Sequence, residues 1–114
     1  MAKLTLLDEV TEARIREVSD CIAEAVHPEA IILFGSHARG DARSASDVDL
    51  AIVLPDSLAS KHDARLAMTM ALRSFLFPID ILAYRRSEFD ARRTRPHGFV
   101  HNLVAEGKVL YGHI

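Results

Sequence analysis

Leu7, Val10, Ile15, Val18, Ile22 and Val26 recur at three-to-five-residue steps with charges between them, the pattern of an amphipathic helix over 7–26. His27-Pro28 ends it, because the residue before a proline is pushed out of helical geometry. Ala30 to Phe34 is a short apolar run rich in β-branched residues and closed by Gly35, so it reads as a strand buried on both faces. Ser36 is placed to cap a helical turn through Arg39, which Gly40 stops. From Asp47 to Leu54 the chain alternates. Asp47, Asp49, Ala51 and Val53 share one face, while Val48, Leu50, Ile52 and Leu54 share the other, which predicts a second strand with two carboxylates at its start. After the turn Pro55-Asp56-Ser57, Leu58, Leu66, Met70 and the run Leu72 to Leu76 predict a second helix over 58–76. Phe77 to Tyr84 reads as a third strand, with Pro78 near its start and Asp80, Leu82 and Tyr84 on a common face. Ser87 is placed to cap a short helix through Arg93, and Pro96 to open another that runs to about Glu106 before Gly107. The expected class is α/β (α+β): a small mixed β-sheet with helices packed on one face.

Composition narrows the function classes. A chain of 114 residues that is 49% hydrophobic has material for one core, so a single domain over 1–114 is expected, with no linker or repeat to divide it. A charged fraction of 26% and a net charge of −2 exclude disorder and a polycation built to coat nucleic acid, so no direct nucleic-acid binding is expected. No stretch approaches the roughly 20 apolar residues of a spanning helix, and Asp8-Glu9 follows the first residues without an apolar leader, so a soluble, cytoplasmic protein is expected. Charge is uneven, at −6 for residues 1–56 and +4 for residues 57–114, the latter mostly from Arg85, Arg86, Arg92, Arg93 and Arg95. That excess is either a solvated face or a surface for a phosphate, an RNA or an acidic partner. The lone Cys21 excludes an intrachain disulfide and falls in the first helix's apolar stripe, where a small buried hydrophobe is the simpler role.

The chemistry concentrates in one stretch. A glycine at a strand end lets backbone approach a polyphosphate, and the N–H groups opening the next helical turn, with the Ser36 hydroxyl, can donate to anionic oxygens. Arg39, one turn on, adds a charge-assisted contact. Asp47 and Asp49 leave the same face of a strand and repel, by roughly 1 kcal/mol at 4 Å even at water's dielectric, so a shared divalent cation suits them. Mg²⁺ binds through one or two carboxylates together with substrate phosphates. Asp80 is the lone acid of an apolar strand, where an unpaired carboxylate is costly to bury; beside the Asp47 strand it makes a third ligand, although an acid there can also cap a helix or meet an arginine. Such a triad fits two-metal nucleotidyl transfer with one carboxylate drawing the proton from the attacking hydroxyl.

Gly35-Ser36, ten intervening residues, then Asp47-x-Asp49 matches the signature of nucleotidyltransferases related to DNA polymerase β. The run Phe34-Gly-Ser-His-Ala-Arg-Gly-Asp-Ala-Arg43, the later Asp80 and the closing Gly107 to Gly112 resemble the minimal nucleotidyltransferases, over nearly the whole chain. That resemblance implies a polymerase β-like fold with the nucleotide site opposite the helices. It implies that Asp47, Asp49 and Asp80 hold two Mg²⁺ ions, with Asp80 as general base, and that Gly35 and Ser36 grip the triphosphate of ATP. Relatives of this kind are typically antitoxins that neutralise a HEPN-domain RNase toxin, several by moving AMP onto one of its tyrosines. Drug-modifying relatives usually carry an added helical domain, for which there is no room here, so the acceptor is expected to be a partner macromolecule. The position after Gly-Ser is often Arg in such proteins and is His37 here, which weakens the expected hold on phosphate.

Competing patterns fail on residue type. No Gly-Lys-Ser/Thr follows Gly35, and Leu50 to Leu54 cannot form a calcium loop. Ser36 beside His37 lacks the surroundings of a nucleophile and base. His97 and His101 sit one helical turn apart without a third zinc ligand, so a solvated face is the simpler reading. Tyr84 and Tyr111 read as packing groups rather than acceptors. The Arg85 to Arg95 cluster with Phe89 and Phe99 is the expected docking surface for the partner.

Overall fold

The computed structural model describes residues 9–43 and 46–114. The first helix, α1 (Glu12–Val26), starts where the Thr11 hydroxyl accepts the Arg14 N–H at 3.1 Å. It stops at His27, which takes a left-handed conformation at φ 47° and returns its N–H to the Ala23 carbonyl. The expected helix began at Leu7, which lies outside the described residues; Val10 precedes the helix yet still packs on the core. Then come β1 (Ala30–Phe34), the single turn α2 (Ser36–Arg39) and β2 (Val48–Leu54). Gly35, at φ 75°, caps α2 in place of the expected Ser36, which is its first residue. Gly40 ends α2 as expected.

Next, α3 (Lys61–Ala71) is capped by the Ser60 hydroxyl and is shorter than the predicted 58–76. Its buried stripe also differs. Ala64, Met68 and Leu72 face the core at four-residue steps, whereas Leu66 and Met70 are 57% and 54% exposed. β3 (Ile79–Arg85) starts two residues later than expected, with Phe77 buried just ahead of it. At α4 (Arg86–Arg93), the helix is anchored not by Ser87 but by Glu88, whose carboxylate accepts the Arg85 N–H at 3.0 Å. Asp56, from the turn after β2, accepts both the Ser87 N–H and hydroxyl at 3.0 Å. α5 (Phe99–Glu106) begins after Gly98 rather than at Pro96, because His97 at φ 62° breaks the helical path. His97 and His101 therefore share no helix face. β4 (Lys108–Gly112), not predicted from the sequence, completes the sheet.

The strand order is β3-β2-β1-β4, with β2 and β3 parallel and the other pairs antiparallel, so the sheet is mixed as expected. On one face, α1 and α3 pack Ile15, Val18, Ile22 and Met68 against Leu33, Val48, Leu50, Ile52 and Leu54. The two long helices thus share a face, as the alternation in β2 requires. The short helices α4 and α5 cover part of the other face, setting Phe89, Val100 and Leu103 on Ala30, Ile32, Ala51, Val53 and Tyr84. Phe89 is completely buried, so it cannot belong to a docking surface. Cys21 packs against the first core, in keeping with a structural role. No helix among the described residues is long and apolar enough to cross a membrane.

Phe89 is the largest fully buried side chain of the smaller core. Phe89→Ala should lower unfolding stability by about 3–5 kcal/mol in urea titrations, the cost of a large buried ring and the cavity it leaves.

Candidate active site

Strand polarity gathers the candidate residues at one end of the sheet. β1 runs toward that end and its last residue, Phe34, pairs with Asp49; β2 and β3 both start there, and their parallel register sets Asp49 opposite Asp80. Asp49 belongs to the face carrying Ala51 and Val53, the face left open ahead of α4 and α5. Asp47 lies just before β2 rather than within it, close enough for its charge to act on Asp49. The carboxyl of Asp49 is held above the ordinary aspartate value by burial first, then by the negative charges of Asp80 and Asp47. His37 and Arg39 offset this only in part.

The two flanking acids are exposed, including Asp80, so the burial cost argued for it from the sequence does not arise. What marks Asp80 is its register. Among the described residues no three His, Cys, Asp or Glu side chains close into a tight ligand set. The donors nevertheless fit a hard divalent cation: all are carboxylate oxygens, and the repulsion of Asp80 and Asp47 on Asp49 is what such an ion would relieve.

The turn above them is built for close approach. At Gly35 the backbone is left-handed, and a Cβ there would fall on the Asp49 carboxylate. α2 then turns tightly, with the Ala38 and Arg39 N–H groups donating to the Gly35 carbonyl. A helix start leaves its first N–H groups without intrahelical partners, and here those belong to the Gly35-Ser36 segment beside Asp49. His37 has a different partner from the one the sequence suggested: its Nε2 lies 3.2 Å from the Ser46 carbonyl, tying α2 to the residue before Asp47. Arg39 is exposed and pairs with Asp41 and Glu106, both at 3.4 Å. The same Glu106 oxygen accepts the Gly35 N–H at 3.4 Å. In the sequence Glu106 is marked only as the end of a helix before Gly107, and nothing local points to this contact. A cavity of about 410 Å³ between α1 and β4 reaches His37 but opens against Leu33 and Leu110, on the α1 face and away from Asp49.

The basic cluster is mostly spent on structure. Arg85 donates to the Asp56 and Leu58 carbonyls, and Arg86 binds Glu29 and the His113 carbonyl. Arg92 lies over the Tyr84 ring, and Arg93 pairs with Asp90. Tyr84 is buried as expected, whereas Tyr111 is exposed on β4. Phe99 is exposed beside Phe34.

A glycine-led turn over paired strand-start carboxylates, on a mixed sheet, defines a nucleotidyl-transfer scaffold. The polymerase beta nucleotidyltransferase family model matches residues 16–113, so the chain belongs to that family and is a nucleotidyltransferase. Among solved structures it is similar in fold to a Sulfolobus solfataricus protein classed as a nucleotidyltransferase, at 20% identity and TM-score 0.56, covering 87% of this chain and 78% of that one. A toxin–antitoxin structure with AMP-PNP aligns at 22% identity and TM-score 0.53, covering 86% and 73%. A mutant of the toxin–antitoxin pair MntA-HpeT aligns at 23% identity and TM-score 0.56, covering 92% and 75%. No curated protein matches the chain.

Two outcomes follow from this geometry. Because the fold raises the Asp49 carboxyl above 3.8, it disfavours the charged form: the resulting stability is full below the unfolded value and is lost as pH rises through the folded one. Without divalent cations, Asp49→Asn should therefore melt above the wild type at pH 7, with the gain vanishing in melts near pH 3. Gly35→Ala should displace the Asp49 carboxylate and weaken Mg²⁺·AMP-PNP binding at least tenfold by calorimetry while circular dichroism still reports a folded protein.

Proposed function

We propose that this nucleotidyltransferase moves AMP from ATP onto a hydroxyl, a tyrosine's, of a partner HEPN-domain toxin and so acts as its antitoxin. The observation that carries the reading is the register of Asp49 opposite Asp80, directly under the Gly35-Ser36 turn. Asp47, Asp49 and Asp80 would hold two Mg²⁺ ions, which when bound neutralise the triphosphate and the charge developing on it. The amides of the Gly35-Ser36 turn, the Ser36 hydroxyl and Arg39 bind and orient the phosphates. Asp80 takes the proton of the attacking hydroxyl as a bond forms from that oxygen to the α-phosphorus and the bond to the bridging oxygen breaks, releasing pyrophosphate. Its exposure suits an acceptor presented by another macromolecule.

The toxin–antitoxin assignments of two solved structures, one of them with AMP-PNP, support the class of partner and nucleotide. Residues 1–114 would work as one minimal domain in the cytoplasm, with exposed Phe99 the remaining apolar element of the docking surface proposed near Arg92 and Arg95.

Intact mass spectrometry of the co-expressed partner tests this directly. Its mass should rise by one or more AMP units, and the gain should disappear in Asp47→Ala/Asp49→Ala and on chelation of Mg²⁺. A double variant that still protects cells while the partner's mass never changes would replace transfer with simple occlusion of the toxin. Turnover on an aminoglycoside without any partner would point to a small-molecule acceptor.

A further inference from the structure

The Gly35 N–H and the Arg39 guanidinium are two of the groups assigned above to nucleotide phosphate, and both already face one carboxylate. Oε1 of Glu106 lies 3.4 Å from the Gly35 nitrogen and 3.4 Å from Nη1 of Arg39. The pairing of β4 with β1 brings the two chain segments together, and the exposed side chains of Glu106 and Arg39 complete the contact. β4 pairs antiparallel with β1 so that Lys108 faces Leu33 and Val109 faces Ile32. That pairing sets the end of α5, two residues ahead of Lys108, beside Gly35, two residues past Leu33. Gly107 permits the approach, since a Cβ there would meet the Ile32 side chain and the Leu103 and Leu33 carbonyls. Glu106 is also the last residue of α5, where the helix dipole offers a negative side chain no support.

We infer that Glu106 stands in for a nucleotide phosphate: its carboxylate occupies the anion position at the Gly35-Arg39 turn, and the triphosphate must displace it to bind. Glu106 is thus a residue that sets nucleotide affinity, holding Arg39 and the turn in their receiving geometry at the cost of competing with the incoming charge. This rests on the nucleotide-binding reading above, and it makes a demand that reading does not: removing an acid from the site should strengthen binding, and only for ligands carrying phosphate.

The test is calorimetric titration of the full chain, with Mg²⁺, against inorganic tripolyphosphate, AMP-PNP and adenosine. Glu106→Gln should tighten tripolyphosphate and AMP-PNP by about fivefold, the factor equivalent to removing roughly 1 kcal/mol of like-charge repulsion at 4 Å in water. Adenosine binding should not change. Glu106→Ala should move in the same direction, and the gain should shrink when Arg39→Ala is added, because the released cation is then missing. If the wild type binds tripolyphosphate and neither Glu106 variant binds it more tightly, while both stay folded by circular dichroism, the inference fails and the nucleotide site stands. If neither the wild type nor the Glu106 variants bind either phosphate ligand, the nucleotide-binding reading fails and takes the inference with it.

Discussion

The parallel pairing of β2 with β3 brings Asp49 against Asp80, and with Asp47 nearby it crowds negative charge at one end of the sheet. Like charges at such spacing cost free energy, and a fold tolerates the cost only if the rest of the strands repay it in burial. They do: Val48 and the five residues from Leu50 to Leu54 are essentially fully buried, and helices press on both sides of them. Stability resides in the body of the sheet, and the candidate acids sit at its end, where one is partly covered and two are open to solvent.

Around that charge, each neighbouring element is specialised for approach. Gly35 has no side chain because the Asp49 carboxylate fills the space a Cβ would need. His37, through the Ser46 carbonyl, ties α2 to the residue ahead of Asp47. Arg39 and His37 only partly offset the burial and the neighbouring acids that hold the Asp49 carboxyl above its ordinary value. Such an imbalance is what a bound cation would relieve.

The second face shows how few residues are free for a partner. Arg85 and Arg86 bind backbone and acidic groups that close α4 onto the strands, and Phe89 is sealed beneath them. A cluster that looks in the sequence like a continuous basic surface is, in three dimensions, largely a set of internal ties. Arginine forks suit that use, since one side chain can bridge several carbonyl and carboxylate oxygens.

Much of the architecture was legible from local pattern. The alternation in β2, the apolar run before Gly35, and the spacing from Gly35-Ser36 to Asp47 and Asp49 each depend on side-chain periodicity and backbone freedom, which act over a few residues. Other features were hidden because they depend on contacts between distant segments. Nothing in the residues of α3 states that Ala64 and Met68, not Leu66 and Met70, face the core; packing against α1 and the sheet selects that stripe. The exposed state of Asp80, the burial of Phe89 and the tie between Glu106 and Gly35 likewise arise from strand register and helix docking. Periodicity can say which side chains share a face, but which face is covered, and which charge meets which across a span of 71 residues, is settled only when the strands pair.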